Sequence, residues 1–274
     1  MEKKFKLGVI GAGFMSTAII NGVIKSGILS PNDIIVSDIN ENSLKKLQQD
    51  TNVSISTDNL YIANNSEFVL FAIKPQNLCD VLKSINGCAC NKFISIMAGV
   101  KKQKIKNVLK NSLVARCMPN TPCSVGNGAV GIDLSDFNAI KSDSDFILNL
   151  FTSFATTVIV SEDKLNTVTG ISGSSPAYFY LFLKGIVDAG VKNGLSEQDA
   201  LKLAANTMIG SGKMVLENKD KTLDELINAV CSKGGTTIEA INVYKQNNLS
   251  NITEKAIDAC INRAVELENL LWKK

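Results

Sequence analysis

GVIGAGFM, Gly8 to Met15, is the stretch whose reading decides the fold. Gly11 and Gly13 follow a short apolar run, Phe5 to Ile10, and precede a helix-like run, Ser16 to Lys25. Strand, glycine turn and helix in that order are the setting a dinucleotide fingerprint requires. Gly11 permits the tight turn, and Gly13 lets the backbone approach a pyrophosphate. The N–H groups around Phe14 and Met15, at the start of the helix, then face that anion. Ser16 occupies the third fingerprint position, where Gly or Ala is usual. It is small enough to fit, and its hydroxyl offers a further donor to a phosphate. A glycine turn with no ligand is the plainer alternative. The position at the first βα turn favours the cofactor.

Working outward, Ile34–Ser37 reads as a second buried strand and Ser43–Gln49 as a short helix. A third strand lies in Ser66–Pro75, ending near Ile73, a fourth in Lys92–Gly99 and a fifth in Leu113–Pro119. Gly128–Leu134 and Thr156–Glu162 add two more. Short apolar strands alternating with helices predict βαβ units, an α/β fold and a mainly parallel sheet. After Glu162 the pattern becomes helical throughout. The expected division is therefore a dinucleotide-binding domain over 1–162 and an all-α domain over 163–274. In the second half Ser175 is the expected N-cap, Pro176 the first helical residue and Gly194 the stop of one helix. Tyr178 to Val191 is apolar on nearly every face, which predicts burial on all sides. A domain of this size does not supply that cover alone, so a second copy of the chain is expected to.

Composition prunes the possible functions. The chain has 274 residues, 45% hydrophobic and 20% charged, with a net charge of +3. No basic stripe with interleaved aromatics is present, so nucleic acid is not an expected partner. Arg116 and Arg263 are the only arginines. There is no histidine, which excludes Ser-His-Asp and Cys-His hydrolases and histidine zincins. Seven scattered cysteines form neither a disulfide framework nor a zinc knuckle, so no metal is expected. No apolar run reaches the roughly eighteen residues of a membrane span. The basic start runs into a glycine motif rather than a cleavage site, so the expected compartment is the cytoplasm.

Ser37-Asp38, at the end of the second strand, is the position that selects a cofactor. A carboxylate there binds ribose hydroxyls and repels a 2′-phosphate. Ser37 and Asn40 offer hydrogen bonds to that phosphate instead, so NADH and NADPH both remain open. AIKPQ (Ala72–Gln76), MAGV (Met97–Val100) and MPNTP (Met118–Pro122) fall at carboxyl ends of strands, the edge where such sheets bind ligands. Simple turn chemistry is the alternative for each. GISGSSP (Gly170–Pro176) and SKGGTT (Ser232–Thr237) are small-residue runs leading into helices. Both suit a small anion, and both also suit ordinary caps.

Together, GAGFM, AIKPQ, IMAGV, RCMPNTP, TGISGSSPAY and SKGGTTIEA resemble the pyrroline-5-carboxylate reductase family in order and spacing. The likeness runs from Gly8 to about Leu267, and Val230–Ala240 is its most specific segment. The resemblance implies reduction of 1-pyrroline-5-carboxylate to L-proline, the last step of proline biosynthesis, with NADPH or NADH. It implies a Rossmann domain followed by a helical dimerisation domain, with homodimers assembling into decamers. Substrate is expected between the nicotinamide and the SKGGTT turn of a partner subunit. By the same resemblance, Ser232, Gly234, Gly235, Thr236 and Thr237 bind substrate, and the Thr237 hydroxyl contacts the ring nitrogen. Glu162 matches an acidic position close to the substrate. Gly11, Ala12, Gly13, Phe14, Met15, Ser37, Asn59, Ala72, Ile73, Lys74, Pro75, Met97, Ala98 and Gly99 match cofactor contacts. Lys233 stands where the family's turn has proline, and Ile39 where a basic residue often follows the second strand. Imine reduction suits a chain without histidine, because no alkoxide needs a proton. Two rivals share parts of this plan. A β-hydroxyacid dehydrogenase needs a lysine where Ala177 stands, and Lys184 lies too far along. A catalytically silent dinucleotide-binding relative is the other.

Overall fold

A computed structural model describes residues 3–272. The N-terminal part is an eight-stranded sheet: β1 (Phe5–Ile10), β2 (Ile34–Ser37), β3 (Ser54–Ser56), β4 (Ser66–Phe71), β5 (Lys92–Ser95), β6 (Leu113–Pro119), β7 (Gly128–Asp133) and β8 (Ala155–Ile159). Their order is β3-β2-β1-β4-β5-β6-β7-β8. Every pairing is parallel except β6 with β7. Helices α1 (Phe14–Lys25), α2 (Glu41–Thr51), α3 (Asn59–Asn65), α4 (Leu78–Ser84), α5 (Lys102–Val108) and α6 (Lys141–Thr152) make the crossovers.

The strands are apolar without alternation because both faces of the sheet are covered. Val9, Val36, Leu70, Ile94 and Ala115 enter one core cluster. Ile10, Ile35, Val69, Phe71, Phe93 and Val114 enter another. The order reverses between β1 and β4, which opens a crevice at the carboxyl ends of the strands.

Three details differ from the sequence expectation. β3 and α3 lie in a polar stretch with no strand signal, and β3 is a three-residue, half-buried edge strand. β4 stops at Phe71 rather than near Ile73. The Ala72 N–H still donates to the Ile10 carbonyl (2.9 Å) before the chain turns away. α1 begins at Phe14, two residues before Ser16, because Gly13 takes the N-cap.

The second half contains α7 (Leu165–Val168), a π-helical turn over Thr169–Gly173, α8 (Ser175–Lys192), α9 (Glu197–Glu217), α10 (Leu223–Val230), α11 (Thr236–Gln246) and α12 (Leu249–Trp272). Packing divides the chain into two compact units. One runs to Pro176 and regains the chain from Ala259; the other is Ala177–Asp258. Within the second unit only Val187, Ala200 and Ala204 form a buried apolar cluster. Gly190 allows that contact, since a β-carbon there would meet Ala200 Cβ at 3.1 Å. The expected all-round burial of Tyr178 to Val191 is not met by this chain alone. Phe179, Tyr180, Leu181 and Phe182 are exposed, and an open groove of about 680 Å³ runs between Tyr178, Phe182, Ile186, Tyr244, Ile252 and Ile257.

Candidate active site

The site begins at the glycine turn. Gly11 has φ of +112°, a left-handed value that favours glycine. Its N–H donates to the Ser37 carbonyl at 2.7 Å. A β-carbon there would overlap the Ala72 carbonyl oxygen and lie 2.8 Å from its carbon. Both are backbone atoms with no room to yield. Gly13 is the opposite case: a β-carbon on it would meet nothing within 4 Å. It caps α1 in an extended conformation with no side-chain cap. The first N–H groups of a helix have no partner inside it, so those of Phe14 and Met15 are left for a ligand or water. A close backbone crossing at Gly11 and open space at Gly13 are what a bound pyrophosphate needs, so the turn fits a dinucleotide.

Ser16 corrects one expectation. It is fully buried, and its hydroxyl donates to the Gly13 carbonyl at 2.8 Å, so it braces the turn instead of facing an anion. Asp38 reaches back into the same turn. Its Oδ2 accepts the Ala12 N–H at 2.6 Å, and its Oδ1 accepts the Asn40 N–H at 2.8 Å. Ser37 is buried and donates to Asn59 Oδ1 at 2.6 Å, and Asn59 Nδ2 donates to Ser84 Oγ at 3.3 Å. The Ser37 hydroxyl is therefore also committed inside the protein.

On the other side of β1, Ala72 and Ile73 lead into Lys74, which is exposed, and Pro75, which opens a 3₁₀ turn. The β5–α5 turn carries Met97, Ala98 and Gly99. Met97 packs its side chain into the core, so only its backbone faces the crevice. Ala98 is exposed, and Gly99 turns the chain with φ of +68°. Glu162 holds this turn from behind. Its Oε1 accepts the Lys102 N–H at 2.7 Å, at the start of α5, and pairs with Arg116 Nη1 at 3.4 Å. Arg116 is buried and also faces Glu268 Oε2 at 3.4 Å. Glu268 takes Lys101 Nζ at 3.0 Å and Asn166 Nδ2 at 3.2 Å. Sequence reasoning missed Glu268. The one available signal was Arg116, one of two arginines, set inside an apolar strand.

MPNTP and GISGSSP turn out to be one structural joint. Pro176 has no N–H to give the Ser172 carbonyl, and the helix widens to a π turn just before it. Asn120 supplies the missing donor, with Nδ2 at 3.1 Å from that carbonyl, while its Oδ1 accepts the Ala129 N–H at 2.9 Å. Ser175 is not an N-cap. It is the first residue of α8, one bend residue after the π turn, and its hydroxyl donates to the carbonyls of Ile171 and Gly170. GISGSSP thus offers no open helix start, because the Ser174 N–H is already given to Thr169 at 2.8 Å.

SKGGTT, in the second unit, is an open start. Gly234 has φ of +72°, and Gly235 is the N-cap of α11 without a side-chain cap. The Gly235 N–H donates to the Ser232 carbonyl at 3.0 Å. A β-carbon on Gly235 would overlap the Ser232 hydroxyl, so any larger residue there requires that hydroxyl to move. Thr236 and Thr237 are the first two helical residues, with N–H groups at the positive end of the helix. Among the described residues, no group of three or more Cys, Asp or Glu is placed to hold a metal ion. None of their helices is long and apolar enough to cross a membrane.

Comparison with known proteins adds to this geometry. Residues 162–267 match a family described as pyrroline-5-carboxylate reductase dimerisation. Residues 6–99 match one described as NADP oxidoreductase, coenzyme F420-dependent. The chain is 37% identical over 265 residues to the pyrroline-5-carboxylate reductase of Methanosarcina acetivorans, covering 96% of this chain and 97% of that protein. Among solved structures, a pyrroline-5-carboxylate reductase from Coxiella burnetii superposes with a TM-score of 0.87 at 32% identity, covering 97% of this chain and 99% of that one. The Plasmodium falciparum pyrroline carboxylate reductase, solved with NADP bound, superposes with a TM-score of 0.86 at 27% identity, covering 98% of this chain and all of that one.

Proposed function

This chain belongs to the pyrroline-5-carboxylate reductase family, and on that premise we infer that it reduces 1-pyrroline-5-carboxylate to L-proline with NAD(P)H, closing proline biosynthesis. The observation that carries the reading is that one chain holds both a dinucleotide cradle and an open glycine-threonine helix start. The cradle is Gly11–Met15 and the helix start is Gly234–Thr237.

NAD(P)H supplies the hydride that reduces the C=N bond. The protein's part is placement and electrostatics. In our proposal the N–H groups of Phe14 and Met15 bind the pyrophosphate, and Gly11, Ala12 and Gly13 shape the turn around it, the Gly11 and Ala12 N–H groups being given to the Ser37 carbonyl and to Asp38. Asn59, Ala72, Ile73, Lys74, Pro75, Met97, Ala98 and Gly99 line the rest of the cofactor crevice, with Ser37 buried beneath it and holding Asn59. The N–H groups of Thr236 and Thr237, at the positive end of α11, bind the substrate carboxylate, with Ser232, Gly234 and Gly235 shaping the turn. The Thr237 hydroxyl orients the ring nitrogen. A protonated imine becomes an amine without a proton delivered to oxygen, so these groups suffice in a chain with no histidine. Glu162 acts by holding the Met97–Gly99 turn through Lys102, since its carboxylate is engaged there and by Arg116.

The working unit in this reading is a homodimer, with five dimers forming a decamer in the cytoplasm. The exposed apolar residues of α8 support the dimer.

Thr237→Ala tests the assignment. Losing one positioned hydroxyl is expected to lower kcat/KM for pyrroline-5-carboxylate about a hundredfold. NAD(P)H affinity should stay unchanged. Turnover equal to the parent would remove Thr237 from the mechanism. Absence of any cofactor oxidation by the parent itself would favour a silent relative.

A further inference from the structure

We propose that Asp38 makes this enzyme select NADH over NADPH. The inference rests on the dinucleotide reading of the Gly11 turn and goes beyond it.

In this fold the ribose of the adenosine half lies beside the carboxyl end of the second strand, and the residue there decides between a hydroxyl and a phosphate. Asp38 is that residue. Its two N–H partners, Ala12 in the glycine turn and Asn40 in the next turn, hold the carboxylate against the cofactor turn. Its negative charge therefore stands where a 2′-phosphate would arrive.

The cations nearest to Asp38 along the chain are Lys45 and Lys46, both exposed on α2, and no arginine stands among them. Ser37 is buried and gives its hydroxyl proton to Asn59. The Asn40 side-chain oxygen caps α2, accepting the N–H groups of Asn42 and Ser43 at 3.1 and 3.2 Å. Ile39 is 94% exposed and apolar. Lys45, on α2, pairs with Glu41 at 3.3 Å. Arg116 is buried on β6. Lys74 follows β4, which flanks β1 on the side opposite β2. A 2′-phosphate would thus meet a fixed carboxylate and no guanidinium, whereas a 2′-hydroxyl would find an acceptor.

The test titrates NADH and NADPH separately into the full-length protein by calorimetry, without substrate. It then compares kcat/KM for the two cofactors with pyrroline-5-carboxylate. The parent is expected to bind NADH at least about tenfold more tightly. Asp38→Asn keeps an acceptor for the Ala12 N–H but removes the charge, and should bring the two affinities close together. Asp38→Asn combined with Ile39→Arg should bind NADPH more tightly than the parent does, a gain that misfolding cannot imitate. Equal or tighter binding of NADPH by the parent overturns the proposal, as does an unchanged ratio in Asp38→Asn. Failure of both cofactors to bind overturns it together with the dinucleotide reading. NADH-selective binding without imine reduction supports it and refutes only the proposed reaction.

Discussion

Gly11 is crowded by the Ala72 carbonyl, whereas Gly13 faces open space. The pair therefore has two separate jobs, and substitution separates them. Gly11→Ala forces a β-carbon into backbone and into a left-handed φ. We expect it to lower the melting temperature and to abolish measurable NAD(P)H binding by calorimetry. Gly13→Ala adds a methyl to empty space and should leave the melting temperature within a degree or two while weakening the cofactor at least about tenfold. Equal thermal losses in both variants would contradict this division. The glycine motif was legible because its residue types carry the geometry. The fate of Ser16 was not, because nothing local shows that its hydroxyl points inward to the Gly13 carbonyl.

The joint between the end of β6 and the π turn over Thr169–Gly173 belongs to the scale of elements. Pro176 leaves a carbonyl without its helical donor, and Asn120 arrives from the end of β6 to satisfy it. Asn120 is buried, so Asn120→Ala strands the Ser172 carbonyl and the Ala129 N–H together. The expected loss is about 2–4 kcal/mol of unfolding free energy, measured by denaturant titration. A loss below about 0.5 kcal/mol would show that water replaces the side chain. Both motifs could be read in the sequence as turn chemistry. Their pairing could not, since 52 residues separate the two bonded groups. β3 escaped for a different reason: Ser54–Ser56 is a half-buried edge strand of three residues that pairs with a single strand, β2.

At the scale of the whole molecule, two consequences follow from buried charge and exposed apolar surface. Burial alone would raise the Asp136 pKa. Lys106, the Val114 N–H and Lys102 outweigh it, and hold the carboxyl below the ordinary aspartate value. Its stabilisation is therefore present above about pH 3.9 and is lost as pH falls through the lower folded value. Asp136→Asn should be less stable than the parent near neutrality, with the gap closing in acid. Denaturant midpoints along a pH series measure this, and a constant gap would rule it out. Leu181 is 74% exposed and lines the apolar groove of the second unit. Leu181→Lys should shift the protein toward monomer in sedimentation velocity, and an unchanged dimer would place the interface elsewhere. The sequence by itself determined the parallel sheet, the glycine cradle, the helical second half and the family. Each of these is written in local periodicity or in residue types with special backbone freedom. Tertiary structure decided where the polar side chains spend their hydrogen bonds. Ser16, Ser37, Asn120 and Glu162 all looked available in the sequence. Each is engaged by a protein group that folding brings to it, because a buried donor or acceptor left without a partner is costly. Asp38 was ambiguous for the same reason. Its bond to the Ala12 N–H, across 26 residues, ties its carboxylate to the glycine turn.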